Sequence, residues 1–251
     1  MIKEFLLGIF SYLQAVYYIK KLNLYKYLAL LLLMLLFFMF PIVFFDVIVN
    51  FISAIIPFAN TSKYADVSVS FASGISGFFL LILMSPVFSM ISEEVMQKLA
   101  GKSYKFSFTQ LLKDMIRGIK ITLRNLLYEY VVIAVISIIL YFLPHHDIIS
   151  LSAKVLIFFI SSYFYGFSLI DYTLENYRYN YKASVVFVRS HLGLAIGLGS
   201  IYYATISIND IQTVKSTLGH LSIYWSGFGE AFIALIGVIG AGVAIKQLRN
   251  K

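Results

Sequence analysis

Hydrophobic positions along the chain gather into six long runs, and the polar positions between them fall in short breaks or in basic stretches. Ahead of the first run, Ile2, Phe5, Leu6, Ile9, Leu13, Val16 and Tyr17 recur at three- and four-residue steps, with Lys3, Glu4, Ser11 and Gln14 between them. That spacing predicts an amphipathic helix over residues 1–22, lying in a membrane interface or packed on its neighbours as a first helix. A cleaved secretory signal needs an uninterrupted apolar stretch ending in a small-residue cleavage site, and residues 1–21 do not have that form.

The first run, 27–56, contains Pro41, Asp46 and Asn50. At 1.5 Å per residue it reaches about 45 Å, against a hydrocarbon core of roughly 30 Å, so it must tilt, kink near Pro41 or protrude. The second run, 71–91, continues as a helix that leaves the membrane and carries Glu93, Glu94 and Lys98. Runs three and four, 125–143 and 151–170, face each other across the turn Pro144–Ser150. Runs five and six, 192–208 and 229–245, flank a polar loop with Asp210, Lys215 and His220. These last four runs are about 17–20 residues long. Each is long enough either to span a bilayer or to enter it partway as one arm of a hairpin.

Composition points the same way. The chain is 60% hydrophobic and 13% charged, whereas a soluble domain carries about 25% charged residues. Without more polar surface it cannot cover a water-facing core. A net charge of +8 would suit nucleic acid only on a polar chain, so the expected basic-face partner is membrane lipid. If the N-terminus is cytoplasmic and all six runs cross, nearly all of the 20 Lys and Arg residues fall on the cytoplasmic side, leaving Lys63, Lys154 and Lys215 opposite. The positive-inside rule then predicts a multi-pass protein of the cytoplasmic (inner) membrane with both termini inside. Paired re-entrant hairpins would give the same distribution.

Candidate chemistry is sparse. The chain has no cysteine, and no metal, phosphate-loop, dinucleotide or nucleophile-triad motif occurs, so neither cofactor nor enzymatic activity is expected. The adjacent His145 and His146 lack the spacing of a helical zinc pair. Asp46, Glu129, Asp171 and Glu230 fall near run ends, where snorkelling or capping accounts for them. The sharper alternative is an acid–base network in which Glu93, Glu129 or Asp171 pairs with Arg117, Arg124 or Arg189. Lys113, Arg117, Lys120 and Arg124 form one cationic stripe in the basic stretch 98–124. Lipid headgroups or an anion pathway would each explain it. Gly193-x3-Gly197 and Gly237-x3-Ala241 are patterns that let helices approach closely.

One resemblance organises these features. The run Ser85-Pro86-Val87-Phe88, continuing through Glu93 and Glu94 to Leu99-Ala100-Gly101, resembles the small-Pro-Phe…Glu…Leu-x-Gly signature of the CysZ-like sulfate permeases, in the etoposide-induced transmembrane protein superfamily. Lys113-Asp114 with Arg117, Leu140-Tyr141-Phe142-Leu143-Pro144, Asp171-Tyr172 and Gly240-Ala241 are similar to further family elements in the same order. The resemblance implies an all-α integral membrane protein with two long transmembrane helices, here 27–56 and 71–97. Short helix hairpins at 125–170 and 192–245 would span or partly penetrate the bilayer, with amphipathic interfacial helices beside them. It also implies assembly into a homo-oligomer and passage of sulfate or a related small oxyanion for sulfur assimilation.

Family members bind sulfate near a Gly-Leu/Ile-Arg-Arg motif, and Asn23, Leu24, Tyr25 and Lys26 stand at the corresponding place. Only Lys26 keeps a charge there, a point charge where arginine would offer a planar fork. Thr173 replaces the proline of the family's Asp-Tyr-Pro element. The expected roles follow. Asn23–Lys26 contact substrate, Arg117, Lys120 and Arg124 attract anions, and Glu93, Asp171 and Arg189 hold the helices in a structural charge network. A protein that only organises lipid or partner helices through its basic segments is the alternative.

Overall fold

The computed structural model describes residues 1–30, 80–101, 108–142, 147–209 and 221–250, and the regular structure among them is entirely helical. We number the helices α1 (Ile2–Lys21), α2 (Ser85–Ala100), α3 (Phe108–Phe142), α4 (Asp147–Asn176), α5 (Tyr181–Ser190), α6 (Leu192–Asn209) and α7 (Leu221–Arg249). Most of the predicted helix 27–56, the start of the helix 71–97, Pro144 to His146 and the loop with Asp210, Lys215 and His220 lie outside the described residues.

Ile116–Phe142, Ile148–Asn176 and Phe228–Arg249 are each long and apolar enough to cross a membrane. A fourth candidate, α5 with α6, is bent by 91°. The chain is a multi-pass membrane protein. Three helices are much longer than their apolar runs, among them α7, which extends the sixth run at both ends to 29 residues. Residues 108–124 of the basic stretch and the third run form one 35-residue helix, α3, and α4 extends the fourth run at both ends to 30 residues. Gly118 does not break α3, because it is buried where Ser85 and Tyr172 approach.

Helix ends are closed by local chemistry. After α1 the chain turns through Asn23 in the left-handed region, φ 51°, while the Asn23 amide donates to the Lys20 carbonyl and the Leu24 amide to the Ile19 carbonyl. This is a Schellman closure, with Leu24 buried beside Ile19. Arg178, φ 58°, closes α4 by the same bonds, Arg178 to Glu175 and Tyr179 to Leu174. Asn180 caps α5, its side-chain oxygen accepting from the Ala183 amide at 2.8 Å.

The bundle is built around α4, α6 and α7, with α1 laid against α6 and α7, α2 against α4 and α7, and α3 on the outer side of α4. Small residues set the closest approaches. Gly166 of α4 lies against the Ala195 backbone, and Gly199 of α6 lies against the Ser162 backbone. Gly193 and Gly197 receive the backbone of α1 at Met1 and Phe5, and Gly237 and Gly240 receive Tyr12 and Ser11. Both glycine patterns noted in the sequence therefore sit at helix contacts, as close backbone approach requires.

Helix α1 is inside-out by the standards of a soluble protein. Its buried residues are Gly8, Ser11, Tyr12, Ala15 and Ile19. Its exposed ones include Ile2, Leu6, Phe10, Leu13, Val16 and Tyr17. Tyr12 donates its hydroxyl to the Leu198 carbonyl at 2.9 Å, Gln14 accepts from Gln247 at 2.9 Å, and Glu4 pairs with His191 at 2.8 Å. The small and polar face makes the protein contacts and leaves the apolar face for lipid.

Candidate functional site

Two groups of polar residues contain positions singled out in the sequence, one at the basic ends of the helices and one inside. The first forms where residues 22–27 pass α2. Glu94 accepts from three donors. Lys98 approaches its carboxylate at 2.9 Å, Lys26 at 3.4 Å, and the Tyr27 hydroxyl donates at 3.1 Å. Lys98 also donates to the Leu22 carbonyl, and Lys246 to the Leu99 carbonyl. Two helix-end carbonyl groups that would otherwise be orphaned are thus satisfied by ammonium groups. Glu94 lies on the part of α2 beyond the apolar run, and the Lys98 hydrogen bond holds its carboxyl below the usual carboxylate range, with Tyr27 and Lys26 acting in the same direction against a modest burial effect.

Within the predicted substrate stretch the four residues are placed very differently. Asn23 is the left-handed residue of the α1 closure, and asparagine is the usual alternative to glycine there, so loss of the family glycine leaves the turn intact. Leu24 is core, while Tyr25 is exposed. Lys26 is the charged member, largely exposed, lying over the Tyr27 ring at 4.9 Å and paired to Glu94.

The second group is a polar seam between α3 and α4. Gly118, Thr122, Asn125 and Glu129 are buried along one side of α3. Facing them on α4 are Ser161, Ser168 and Asp171, all buried. Arg117 donates to Asp171 at 2.8 Å and to the Ser184 hydroxyl of α5 at 2.7 Å. Asn125 donates to Ser168 at 3.1 Å, and Glu129 lies at Ser161. The seam continues onto α2, where Ser89 donates to Glu175 at 3.4 Å and Asn176 donates to Ser92 at 2.8 Å. From Ser161 to Glu175 it follows α4 for about 21 Å, two-thirds of a roughly 30 Å hydrocarbon core. Among the described residues of the seam, Asn125 Oδ1, Glu129 Oε2 and Arg117 Nε are buried without a hydrogen-bond partner.

The cationic stripe divides along its length. Lys113 and Lys120 are exposed, whereas Arg117 and Arg124 turn toward the protein. Arg124 lies over the rings of Tyr128, Phe167 and Tyr181 at 5.0, 5.5 and 5.3 Å. Arg189 reaches the Tyr163 hydroxyl. Of the expected network, Asp171 and Arg117 are brought together, while Glu93 sits beside the Tyr27–Glu94 group and acts electrostatically on that hydroxyl.

Snorkelling does not describe Glu129, Asp171 and Glu230. All three are buried among helices. Sequence reading also passed over Glu94's role and the serines of α4. The signal available for the serines was their spacing, since Ser161, Ser168 and Glu175 repeat every seven residues on a helix already expected to cross the membrane.

No curated protein and no solved structure matches the chain. Residues 2–209 match the family model described as sulfate transporter CysZ/etoposide-induced protein 2.4. The chain is therefore a member of that family of membrane proteins.

Proposed function

We propose that this protein is a permease or channel-like conduit for sulfate or a related small oxyanion, carrying it across the cytoplasmic membrane for sulfur assimilation. The observation that carries this reading is the buried seam. Lipid offers no hydrogen bonds, and an unpaired polar group in a dry interior costs on the order of several kcal/mol. A file of serines, Asn125, Arg117 and acids along the inside of spanning helices is affordable where water or a polar solute supplies the missing partners. A protein that only organises lipid needs its basic groups on the outside, yet Arg117 and Arg124 turn inward.

In this reading Asn23–Lys26 form the entry, with Lys26 as the charged contact. Arg117, Lys120 and Arg124 raise the local anion concentration. Asp171 with Arg117, and Glu93 and Arg189 beside their own partners, hold the helices. Both termini are cytoplasmic and the protein works as a homo-oligomer. The exposed Lys113 and Lys120 beside Ile116 and Leu123 support a secondary contact with anionic lipid headgroups.

The test is uptake of radiolabelled sulfate into proteoliposomes, against empty vesicles and a Lys26→Ala variant. Uptake above empty vesicles and lost in the variant is expected. Absence of uptake for sulfate, sulfite and thiosulfate alike would sink the conduit reading.

A further inference from the structure

The Glu94 group has the composition of an oxyanion site, with an oxyanion already in it. Two ammonium groups and a hydroxyl converge on one carboxylate, Lys98 at 2.9 Å, Lys26 at 3.4 Å and Tyr27 at 3.1 Å. These donors come from two places in the chain, the helix that begins at residue 25, which carries Lys26 and Tyr27, and α2, which carries Lys98 and Glu94 itself. An ordinary surface pair joins two side chains in water. Here the carboxylate is four-fifths covered, with a side-chain exposure of 19%, while Lys26 stays 61% exposed. The donors thus open to solvent on the Lys26 side and close on Glu94 at the other.

We infer that Lys26, Lys98 and the Tyr27 hydroxyl form an oxyanion cradle whose resident occupant is the Glu94 carboxylate, so that a sulfate-class anion binds by displacing Glu94. This rests on the conduit reading for its biological sense but not for its chemistry. Sulfate and carboxylate present the same kind of oxygen to the same donors, so they compete for them. Glu94 is tethered one helical turn from Lys98 and holds the closed arrangement without an entropic cost of capture. The cradle is available to an outside anion only in the fraction of molecules in which Glu94 has swung away, and apparent affinity falls by that fraction. Displaced, Glu94 stays beside its neighbour Glu93 on α2. Its negative charge then repels a second anion and favours release of the first. Glu94 is in this sense a specificity-determining residue. Anions that engage both lysines and the hydroxyl at once compete with it, and a monovalent ion such as chloride competes poorly.

The experiment is equilibrium binding of radiolabelled sulfate to the purified full chain, paired with uptake into proteoliposomes, for wild type, Glu94→Gln, Glu94→Gln with Lys26→Ala, and Lys98→Ala. Glutamine keeps the size of the side chain and can still accept from Tyr27 while removing the competing charge. Glu94→Gln is expected to bind sulfate about tenfold more tightly than wild type, as removal of a mostly closed state predicts. Adding Lys26→Ala should abolish the gain, and Lys98→Ala should bind more weakly than wild type.

The inference is overturned if Glu94→Gln, shown to be folded by its elution and thermal transition, binds sulfate no more tightly than wild type. A gain that survives loss of Lys26 overturns it equally. If Glu94→Gln fails to fold, Glu94→Asp decides. The shorter arm loosens the grip on Lys26, so tighter sulfate binding supports the cradle and unchanged binding refutes it. Failure of the conduit reading looks different. In that case sulfate binds to Glu94→Gln with the expected gain, yet no vesicle fills.

Discussion

Helix α4 faces two neighbours, and the two contacts are built on opposite principles. Against α6 it is packed backbone to backbone, with Gly166 on Ala195, Gly199 on Ser162, and Tyr165 at 5.2 Å from the Tyr202 ring. Against α3 it is joined by polar side chains, Asn125 to Ser168 and Arg117 to Asp171, with several buried polar atoms left over. In a membrane the apolar effect does not drive helices together, so close van der Waals contact and interhelical hydrogen bonds do. The first contact uses the former and makes a rigid scaffold. The second uses the latter and leaves buried polar atoms without partners. One helix thereby fixes the frame and lines the seam.

Breaking the scaffold should have the largest effect. A Cβ at Gly199 meets the Ser162 carbonyl backbone, which cannot move aside as a side-chain tip could. Gly199→Val is expected to cost about 3 kcal/mol or to prevent accumulation of folded protein, read by size-exclusion profile and thermal unfolding in detergent. Gly229, with open space around it, is the control. Gly229→Ala should leave stability within about 1 kcal/mol of wild type. Equal behaviour of the two variants would mean that α4 and α6 are not in backbone contact.

Cutting the seam should matter less to folding and more to the anion passage proposed above. Asp171→Ala leaves Arg117 with Ser184 alone. The buried carboxylate argues for a large loss and the partly exposed guanidinium discounts it, to about 2 kcal/mol. Arg117→Met combined with Asp171→Leu should recover most of that. A double variant as unstable as the sum of the single ones would show that the two residues act independently. The smallest effect is expected at Tyr12→Phe. It removes one hydroxyl bond to Leu198 while keeping the ring, for a loss of about 0.6–1 kcal/mol on thermal unfolding and unchanged sulfate uptake.

Much of this arrangement is legible in the sequence. The spacing of Gly193, Gly197 and Gly237 marked faces that do pack, and the Ser85–Gly101 run with the later elements pointed to the family that residues 2–209 match. The acids were harder. Glu129, Asp171 and Glu230 were set near run ends by counting along the chain, which measures depth but not which way a side chain turns. Glu93 and Glu94 are adjacent, and only packing decides that Glu94 meets Lys26, Lys98 and Tyr27.

Sequence by itself determined that the chain is helical, belongs in a membrane and carries its charge in a few basic stretches, because those properties follow from composition and from periodicity along one axis. Tertiary structure decided which side of each helix is inside. In water an apolar face is an inner face. In lipid the surroundings are as apolar as the core, so α1 can bury Ser11 and Tyr12 while exposing Leu6 and Leu13, and one cationic stripe can send Arg117 inward and Lys120 outward. That choice is set by which small residues admit a neighbouring backbone and which polar groups find partners across it, and both are properties of pairs of helices that no single periodicity contains.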